Sequence, residues 1–251
     1  MDFTPYIKKF KTVDLESLDK VKMLNRKDTK FVFNERLLPS ILEDLTSSYK
    51  ILEIDNNLIF NYDNNYFDTK NFLFYNQHHN ENRNRYKIRY RNYSSTNSTY
   101  FEIKTKNNKD RTIKKRLISD SNQNNFNEEE KQLIESIIKI HPNKLKKSIN
   151  INFSRITFVD NLFSERITID TNLKVKNENN NKIFNNLIIS EIKQNKYNPK
   201  SPFIKLFRDI KILEMRFSKY CMGMIEIYPE LKQNRFKPKL NRINKIYNQE
   251  Y

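Results

Sequence analysis

Two neighbouring stretches alternate strictly between charged and apolar side chains, and this pattern constrains the fold more than any other feature of the chain. The stretches cover residues 85–91 and 100–106. A repeat of two residues predicts β-strands, because successive side chains of a strand point to opposite faces of the sheet. The charged positions on one face are Lys87, Arg89, Arg91, Glu102, Lys104 and Lys106.

The same alternation recurs in other parts of the chain. For any single strand, an ordinary sheet with its charged face towards water remains the alternative. Recurrence over several strands predicts instead that the charged faces meet, so that a curled sheet encloses a basic lumen and helices cover its apolar outside. The further lumen positions are Lys30, Lys114, Arg116, Arg155, Arg166, Asp170, Glu191 and Lys193. The predicted fold class is α+β and mostly β, an antiparallel eight-stranded tunnel-like barrel with a charged lumen and flanking helices.

Net charge and glycine content limit which class of ligand the protein can bind and how it can hold that ligand. The chain of 251 residues carries a net charge of +17, which calls for an anionic partner. Gly223 is its only glycine, so the glycine-rich loops that cradle phosphate with backbone amides are excluded. Any phosphate must therefore be held by side chains, and arginine suits bidentate contacts to phosphate oxygens.

Cysteine and histidine offer little for catalysis or for a zinc site. Cys221 is the single cysteine, and we interpret it as a buried small side chain near a helix end. His78 and His79 lie in a polar stretch, and we interpret them as surface loop residues. With no apolar leader and no membrane-spanning run, we expect a cytoplasmic protein; association with the inner face of a membrane is left open.

The predicted helices surround one large domain. Asn34 is a candidate N-cap for a helix to about Leu45. Ser201-Pro202 begins a longer helix to about Tyr220, whose aromatic residues are expected to cover the apolar face of the sheet. Met224–Tyr228 is assigned to a short strand.

The domain boundaries follow from the same patterns. We place a lead segment at 1–22, the main domain at 23–228 and a basic C-terminal tail at 229–251. The tail is predicted to be irregular and exposed.

Carboxylates among the basic residues have two possible uses. Hard divalent ions such as Mg²⁺ or Mn²⁺ take oxygen ligands and bridge phosphates. Glu191 is the first candidate for a metal ligand and Glu102 the second. A salt bridge to a neighbouring lysine or arginine is an equally open interpretation of each.

Several short motifs follow one another along the chain in a definite order. They are Arg26-Lys-Asp-Thr-Lys30, Tyr66-Phe-Asp-Thr69, Lys87-Ile-Arg89, Phe101-Glu-Ile-Lys-Thr105, Ile113-Lys-Lys-Arg116, Ser154-Arg155, Arg166-Ile-Thr-Ile-Asp170, Ser190-Glu-Ile-Lys193 and Phe217-Ser-Lys-Tyr220. This ordered set, over about residues 23–228, resembles the VTC domain, the polyphosphate polymerase domain of the vacuolar transporter chaperone family in the triphosphate tunnel metalloenzyme superfamily.

This resemblance implies that the protein transfers the terminal phosphate of ATP to a growing polyphosphate chain with Mn²⁺ or Mg²⁺. The residues expected to act in catalysis are Lys30, Arg89, Lys104, Arg155 and Lys219. The residues expected to bind triphosphate or polyphosphate are Arg26, Lys87, Arg91, Lys114, Arg116, Arg166 and Lys193. The expected metal ligands are Glu191 and Glu102.

Departures from the family pattern keep other functions open. Lys87 stands where fungal members commonly have arginine, and the chain lacks their SPX domain and membrane helices, so it resembles stand-alone bacterial members. A separate membrane protein is left open as a partner. A tunnel triphosphatase is one alternative, although the Glu-x-Glu-x-Lys motif of the hydrolase branch is absent. A non-catalytic polyphosphate binder is another. Nucleic acid is disfavoured, because the basic residues alternate along strands instead of clustering on one helix.

Overall fold

The computed structural model describes residues 1–19, 27–94, 96–107, 112–119 and 125–248. Within them the chain forms eleven strands and eight α-helices. The strands are β1 Lys11–Val13, β2 Lys27–Asn34, β3 Tyr49–Leu52, β4 Phe60–Thr69, β5 Arg85–Tyr93, β6 Ser98–Lys106, β7 Thr112–Ile118, β8 Leu145–Asp160, β9 Glu165–Lys176, β10 Asn181–Ile183 and β11 Leu187–Gln194. The helices are α1 Thr4–Ile7, α2 Leu15–Asp19, α3 Leu38–Leu45, α4 Leu73–His79, α5 Glu128–Ile138, α6 Pro202–Asp209, α7 Lys219–Ile227 and α8 Lys237–Tyr247.

Eight strands form one continuous antiparallel path, which confirms the predicted sheet. Their order is β2-β11-β9-β8-β4-β5-β6-β7, and the short strands β1, β3 and β10 attach at its side. Among the described residues, β2 and β7 do not pair, so hydrogen bonds do not join the two ends of the path there.

The path is strongly curled, as two lysines show. Lys30 lies on β2 and Lys87 on β5, five strand steps away, which is about 24 Å across a flat sheet. Yet Lys30 Nζ is 3.3 Å from the carbonyl oxygen of Phe217, and Lys87 Nζ is 3.0 Å from Ser218 Oγ. The sheet therefore curves around this segment with its charged side, here called the inner face, turned inward.

Helices cover the outer face in two separate clusters. Phe31 of β2 and Phe158 of β8 are buried together with Phe207 of α6, in a cluster that also includes α1 and α3. On the other side, Ile88 and Phe101 of β5 and β6 are buried with residues of α5. In both clusters the apolar members of the alternating strands pack against helical residues, which confirms that these side chains face outward onto helices.

One end of the inner face is apolar and packs against α7. Ile149 and Val175 lie there with Met224 of the helix. A Cβ atom on Gly223 would come within 2.9 Å of Val175 and 3.2 Å of Ile149, so this close approach explains the single glycine of the chain. The rest of the inner face is charged, and α7 reaches it with its first residues.

Three predictions for the C-terminal third are wrong. The helix predicted over 201–220 ends at Asp209, and after an irregular segment α7 replaces the strand predicted at Met224–Tyr228. The tail at 229–251 is predicted to be irregular, but α8 buries Ile243 and Ile246 against the body of the protein. Asn34 Nδ2 donates a hydrogen bond to the carbonyl oxygen of Ile246 at 2.9 Å, which ties this helix to β2.

The histidine interpretation also needs correction. His78 and His79 end α4 instead of lying in a surface loop, and His79 is buried. Burial and the nearby charge of Lys87 lower the pKa of His78 to about 2, so its ring is neutral at pH 7. Cys221 is buried near the start of α7, as predicted. In the described part of the chain no helix has the length and apolarity that crossing a bilayer requires.

Candidate active site

Strands β5, β6 and β7 form the first side of the charged inner face, here called the cationic wall. Strand register places its residues side by side: Lys87 lies opposite Lys104, and Arg89 lies opposite Glu102. Lys104 in turn lies opposite Lys114 of β7. Among the described residues of these three strands, Glu102 is the only carboxylate. The wall consists of Lys87, Arg89, Arg91, Lys104 and Lys114 around Glu102.

Glu102 is held by two of these cations. Arg89 donates from Nε at 2.7 Å and from Nη2 at 2.5 Å to Glu102 Oε2, and Lys114 Nζ lies 3.2 Å from Oε1. The glutamate side chain is fully buried. Burial opposes its ionisation, but Arg89 and its neighbours keep the pKa of Glu102 far below the usual range. This geometry favours the salt-bridge interpretation of Glu102 over that of a metal ligand.

Lys104, Lys87 and Arg91 have no carboxylate partner among the described residues. Lys87 donates to Ser218 Oγ, and Arg91 Nε donates to Asn64 Oδ1 at 2.9 Å. For Lys104 the described residues supply no hydrogen-bond or ion-pair partner. Repulsion from Arg89, burial and repulsion from Arg91 hold the pKa of Lys104 well below its usual range. Unpaired cations in such a cluster favour an anionic ligand.

Strands β8, β9, β11 and β2 form the second side, here called the paired wall, in which cations are matched by carboxylates. Arg155 donates to both carboxylate oxygens of Asp170 at 2.6 and 2.8 Å, and Lys219 of α7 also pairs with Asp170. Burial opposes ionisation of Asp170, but Arg155 and Lys219 lower its pKa to about 2. Asp170 thus holds Arg155 and Lys219 side by side on the inner face.

Glu191 forms the second ionic group of the paired wall. Its Oε2 lies 2.8 Å from Lys193 Nζ, and its Oε1 lies 3.7 Å from Lys30 Nζ. Lys193 also pairs with Asp28 at 3.3 Å. Burial opposes ionisation, yet Lys30 and Lys193 keep the pKa of Glu191 well below its usual range. Glu191 is therefore an anion among cations on the inner face.

The first turn of α7 joins the two walls. Ser218 accepts a hydrogen bond from Lys87 of the cationic wall, and Lys219 pairs with Asp170 of the paired wall. Tyr220 fixes this turn by donating to Asp68 Oδ2 at 2.5 Å, while its ring stacks on Tyr66. Asp68 also accepts backbone amides at the start of α4, so its carboxylate links β4, α4 and α7.

The structure brings most predicted site residues together. Arg116 lies on the inner face of β7 but is exposed, with its guanidinium 5.0 Å from the ring centroid of Tyr100. Arg166 lies opposite Lys193 in the β9–β11 register and has an interaction partner. Arg26 lies outside the described residues.

Sequence reasoning missed the neutral groups that position the cations. Tyr66 accepts a hydrogen bond from Arg89 Nη1 at 2.8 Å, and Asn64 accepts one from Arg91. Both lie on β4 at positions whose side chains point to the inner face, because they lie opposite Arg89 and Arg91 of β5. The motif Tyr66-Phe-Asp-Thr69 signalled this strand, but nothing in it indicated which side chains meet arginines.

A divalent metal fits one carboxylate of this site. The described residues hold no cluster of three or more His, Cys, Asp or Glu that could form a metal cage. Mg²⁺ and Mn²⁺ bound with nucleotides need only one or two carboxylates, because substrate phosphates and water complete the coordination. Glu191 is ionised, lies on the inner face and has a partly exposed side chain, so it meets that requirement.

Solved structures of other proteins are similar to this chain, and one of them shares its fold with a TM-score above 0.5. A candidate adenylyl cyclase from Hippeastrum, described as having a dominant triphosphatase activity, superposes with a TM-score of 0.51 at 9% identity, over 80% of this chain and 97% of that one. A candidate adenylate cyclase from Bacillus halodurans gives 0.49 at 13% identity, over 77% and 94%. One from Vibrio parahaemolyticus gives 0.48 at 9% identity, over 79% and 99%.

Comparison of sequences identifies the family. No curated protein matches the chain. The model of the VTC domain matches residues 25–228, which include every strand of the eight-stranded path and the first turn of α7. This match covers most of the chain and contains both walls of the site. The chain belongs to the VTC domain family, with the fold of the triphosphate tunnel superfamily.

Proposed function

We propose that this protein is a metal-dependent phosphotransferase that moves the terminal phosphate of ATP onto a polyphosphate chain. The observation that carries the proposal is the cationic wall, where Lys87, Arg91 and Lys104 converge without a carboxylate partner among the described residues. A triphosphate supplies the missing negative charge, and its oxygens accept the donors that these side chains offer.

For phosphoryl transfer the protein needs mainly to position the reacting phosphates and to stabilise their charge. Phosphoryl transfer needs the donor and acceptor phosphates in line and needs the charge on the transferred group to be stabilised. The cationic wall holds the donor triphosphate. Arg155, Lys219 and Lys30 reach the same space from the opposite side and neutralise charge on the transferred group and the acceptor. The acceptor phosphate is itself the nucleophile, so no protein nucleophile is required.

Mn²⁺ or Mg²⁺ is the proposed cofactor, with Glu191 as its protein ligand. The bound ion would neutralise and orient the phosphate oxygens of the substrate. Lys30 and Lys193, which flank Glu191, keep the carboxylate ionised and ready to bind a cation in the metal–nucleotide complex. Glu102 remains an ion-pair partner that holds Arg89 in place.

Water in place of the acceptor phosphate would turn the same site into a triphosphatase. That is the activity by which the structurally similar Hippeastrum protein is described. The two functions share the cationic wall and differ in the product, so product analysis separates them. A protein that only binds polyphosphate would give neither product.

The test is incubation of the purified protein with ATP and Mn²⁺, followed by separation of polyphosphate from orthophosphate. We expect long chains that a polyphosphatase degrades. Arg89→Ala and Glu191→Gln should each lower the rate at least about a hundredfold, the usual cost of losing one group that stabilises transition-state charge. Glu43→Gln, which breaks an exposed surface pair with Lys9, serves as the matched control. Orthophosphate as the sole product would overturn the polymerase in favour of the hydrolase.

A further inference from the structure

A group of aromatic side chains continues the inner face beyond the cationic wall. Tyr62 stacks on Phe153 with ring centroids 5.1 Å apart and an interplanar angle of 4°. Tyr93 meets Tyr62 edge-on at 5.1 Å and Tyr100 edge-on at 5.6 Å. Tyr62, Tyr93 and Tyr100, here called the aromatic rim, come from β4, β5 and β6 and are each half-buried.

Strand register fixes where the aromatic rim lies. Tyr93 follows Arg89 and Arg91 on the same face of β5, and Tyr100 lies opposite Arg91. Four residues of antiparallel strand, from Arg89 to Tyr93, extend about 14 Å. An extended nucleoside triphosphate can bridge this distance with its phosphates at the arginines and its base at the tyrosines.

The opposite end of the inner face is unsuitable for a base. There the first turn of α7 contacts Lys87 through Ser218, and the body of the helix packs on Ile149 and Val175. A ligand whose triphosphate lies along the cationic wall must therefore direct its remaining part away from α7. That direction leads to the aromatic rim.

The charges around the aromatic rim also suit a nucleotide. The guanidinium of Arg91 lies 5.2 Å from the ring centroid of Tyr62, that of Arg155 lies at 5.1 Å, and that of Arg116 is 5.0 Å from Tyr100. Arginine planes and tyrosine rings both stack on bases. Arg91 belongs to the cationic wall and Arg116 lies opposite Glu102 in the register of β6 and β7, which places both beside the phosphate nearest the sugar.

We infer that the aromatic rim is a nucleobase-stacking subsite, which gives the site a preference for nucleoside triphosphates over inorganic tripolyphosphate. The inference rests on the proposed function, since it requires a triphosphate bound at the cationic wall. Stacking on an aromatic face tolerates every base, because all bases present a π-face. ATP and GTP should therefore bind within about threefold of each other.

The test compares two ligands by calorimetry, Mn²⁺–ATP and Mn²⁺–tripolyphosphate. Tyr93→Leu should raise the Kd for ATP about tenfold, in the range expected for one lost stacking contact, and change the Kd for tripolyphosphate by less than about twofold. Tyr93→Phe keeps the ring and should bind both ligands like the wild type. Tyr100→Leu repeats the measurement at a second position of the aromatic rim.

Each outcome separates the inference from the proposed function. Equal weakening of ATP and tripolyphosphate in Tyr93→Leu, or equal affinity of the wild type for both, overturns the base subsite and leaves the phosphate site intact. If the wild type binds neither ATP nor tripolyphosphate, the proposed function itself is overturned. If Tyr93→Leu does not fold, as judged by its circular dichroism, Tyr100→Leu and the wild-type affinity ratio still decide.

Discussion

The two walls of the inner face differ in how their buried cations are paired with carboxylates. On the paired wall, Arg155 and Lys219 share Asp170, while Lys30 and Lys193 share Glu191. On the cationic wall, Glu102 is the only carboxylate among the described residues. Each of these four cations thus has a carboxylate partner, whereas Lys87, Arg91 and Lys104 have none among the described residues, and a bound anion would relieve their repulsion.

This difference supports the proposed division of roles, in which the cationic wall binds the substrate and the paired wall positions it. Holding like charges together without an anion destabilises the fold, so such an arrangement indicates a site shaped for a ligand. Paired charges are fixed in geometry by their partners and suit orientation of the reacting group. The first turn of α7 contacts both walls, so the distance between them depends on the position of that helix.

The largest effect should follow from removing the one carboxylate of the cationic wall. Glu102→Gln leaves Arg89 buried without a compensating charge and should lower the free energy of unfolding by about 3–5 kcal/mol. Urea denaturation measures this loss, and saturating tripolyphosphate should recover part of it by supplying an anion. Glu43→Gln, at an exposed pair, should cost less than about 1 kcal/mol. A loss in Glu102→Gln no larger than in this control would remove the contrast between the walls.

The second prediction is an opposite sign of stability change for one cation from each wall. Arg155→Met leaves Asp170 buried with only Lys219 and should lower the free energy of unfolding by about 2–3 kcal/mol. Lys104→Met removes repulsion and should raise it by about 1 kcal/mol while weakening tripolyphosphate binding. Chemical denaturation of both variants, beside calorimetry with tripolyphosphate, makes the comparison. Two changes of the same sign would show that Lys104 is compensated after all.

A smaller effect should follow from loosening the helix that joins the walls. Tyr220→Phe removes a hydrogen bond to the buried carboxylate of Asp68 and should cost about 1–2 kcal/mol. Because Ser218 and Lys219 directly precede Tyr220, the variant should also lower kcat more than it raises KM for ATP. Tyr197→Phe, at a half-exposed ring remote from α7 in sequence, is the matched control. Loss of stability with unchanged kcat would confine Tyr220 to a structural role.

The smallest effect is a pH dependence specific to the cationic wall. The lowered pKa of Lys104 means that the folded state binds fewer protons than the unfolded state between that pKa and the usual value of about 10.4. The free energy of unfolding should therefore rise with pH across that window, and below the window the protein carries the full destabilisation from the charged Lys104. Lys104→Met should reduce this slope in urea titrations over the alkaline range. An unchanged slope would assign the effect to other lysines.

The strand pattern was sufficient to predict the antiparallel sheet and most of the residues that the structure brings together in the candidate site. Alternation in 85–91 and 100–106 placed Lys87, Arg89 and Lys104 on one face, and the structure confirms that face as the inner one. The apolar partners of these residues identified the outer surface that helices cover. Side chains alternate between the two faces of a strand because of its own backbone geometry, so this pattern can be recognised without knowing which strands lie beside it.

The C-terminal third was harder to predict because its helices are short and depend on tertiary contacts. Phe203, Phe207 and Phe217 fit one helical stripe, yet Phe217 belongs to the cluster around α7 and the other two to the cluster around α6. Lys211 adopts a positive φ between them, and its residue type gives no sign of that.

A bulge in β9 shows why parity alone can mislead over a long strand. The register between β8 and β9 shifts near Asn172, whose φ is 53°. One extra residue moves Val175 to the same face as Asp170, although the two differ in parity. Val175, on which α7 packs, and Asp170, which pairs with Lys219, therefore share the inner face.

By itself, the sequence determined which side chains share a face of each strand, because that depends only on backbone geometry. Only the tertiary structure decided which cations are matched by carboxylates, where the aromatic rim meets the arginines and where α7 joins the walls. Those pairings depend on register and on the curl of the sheet, which are set by contacts between residues far apart in the chain. Whether a lysine such as Lys104 is compensated or left for a ligand is therefore a property of the folded sheet.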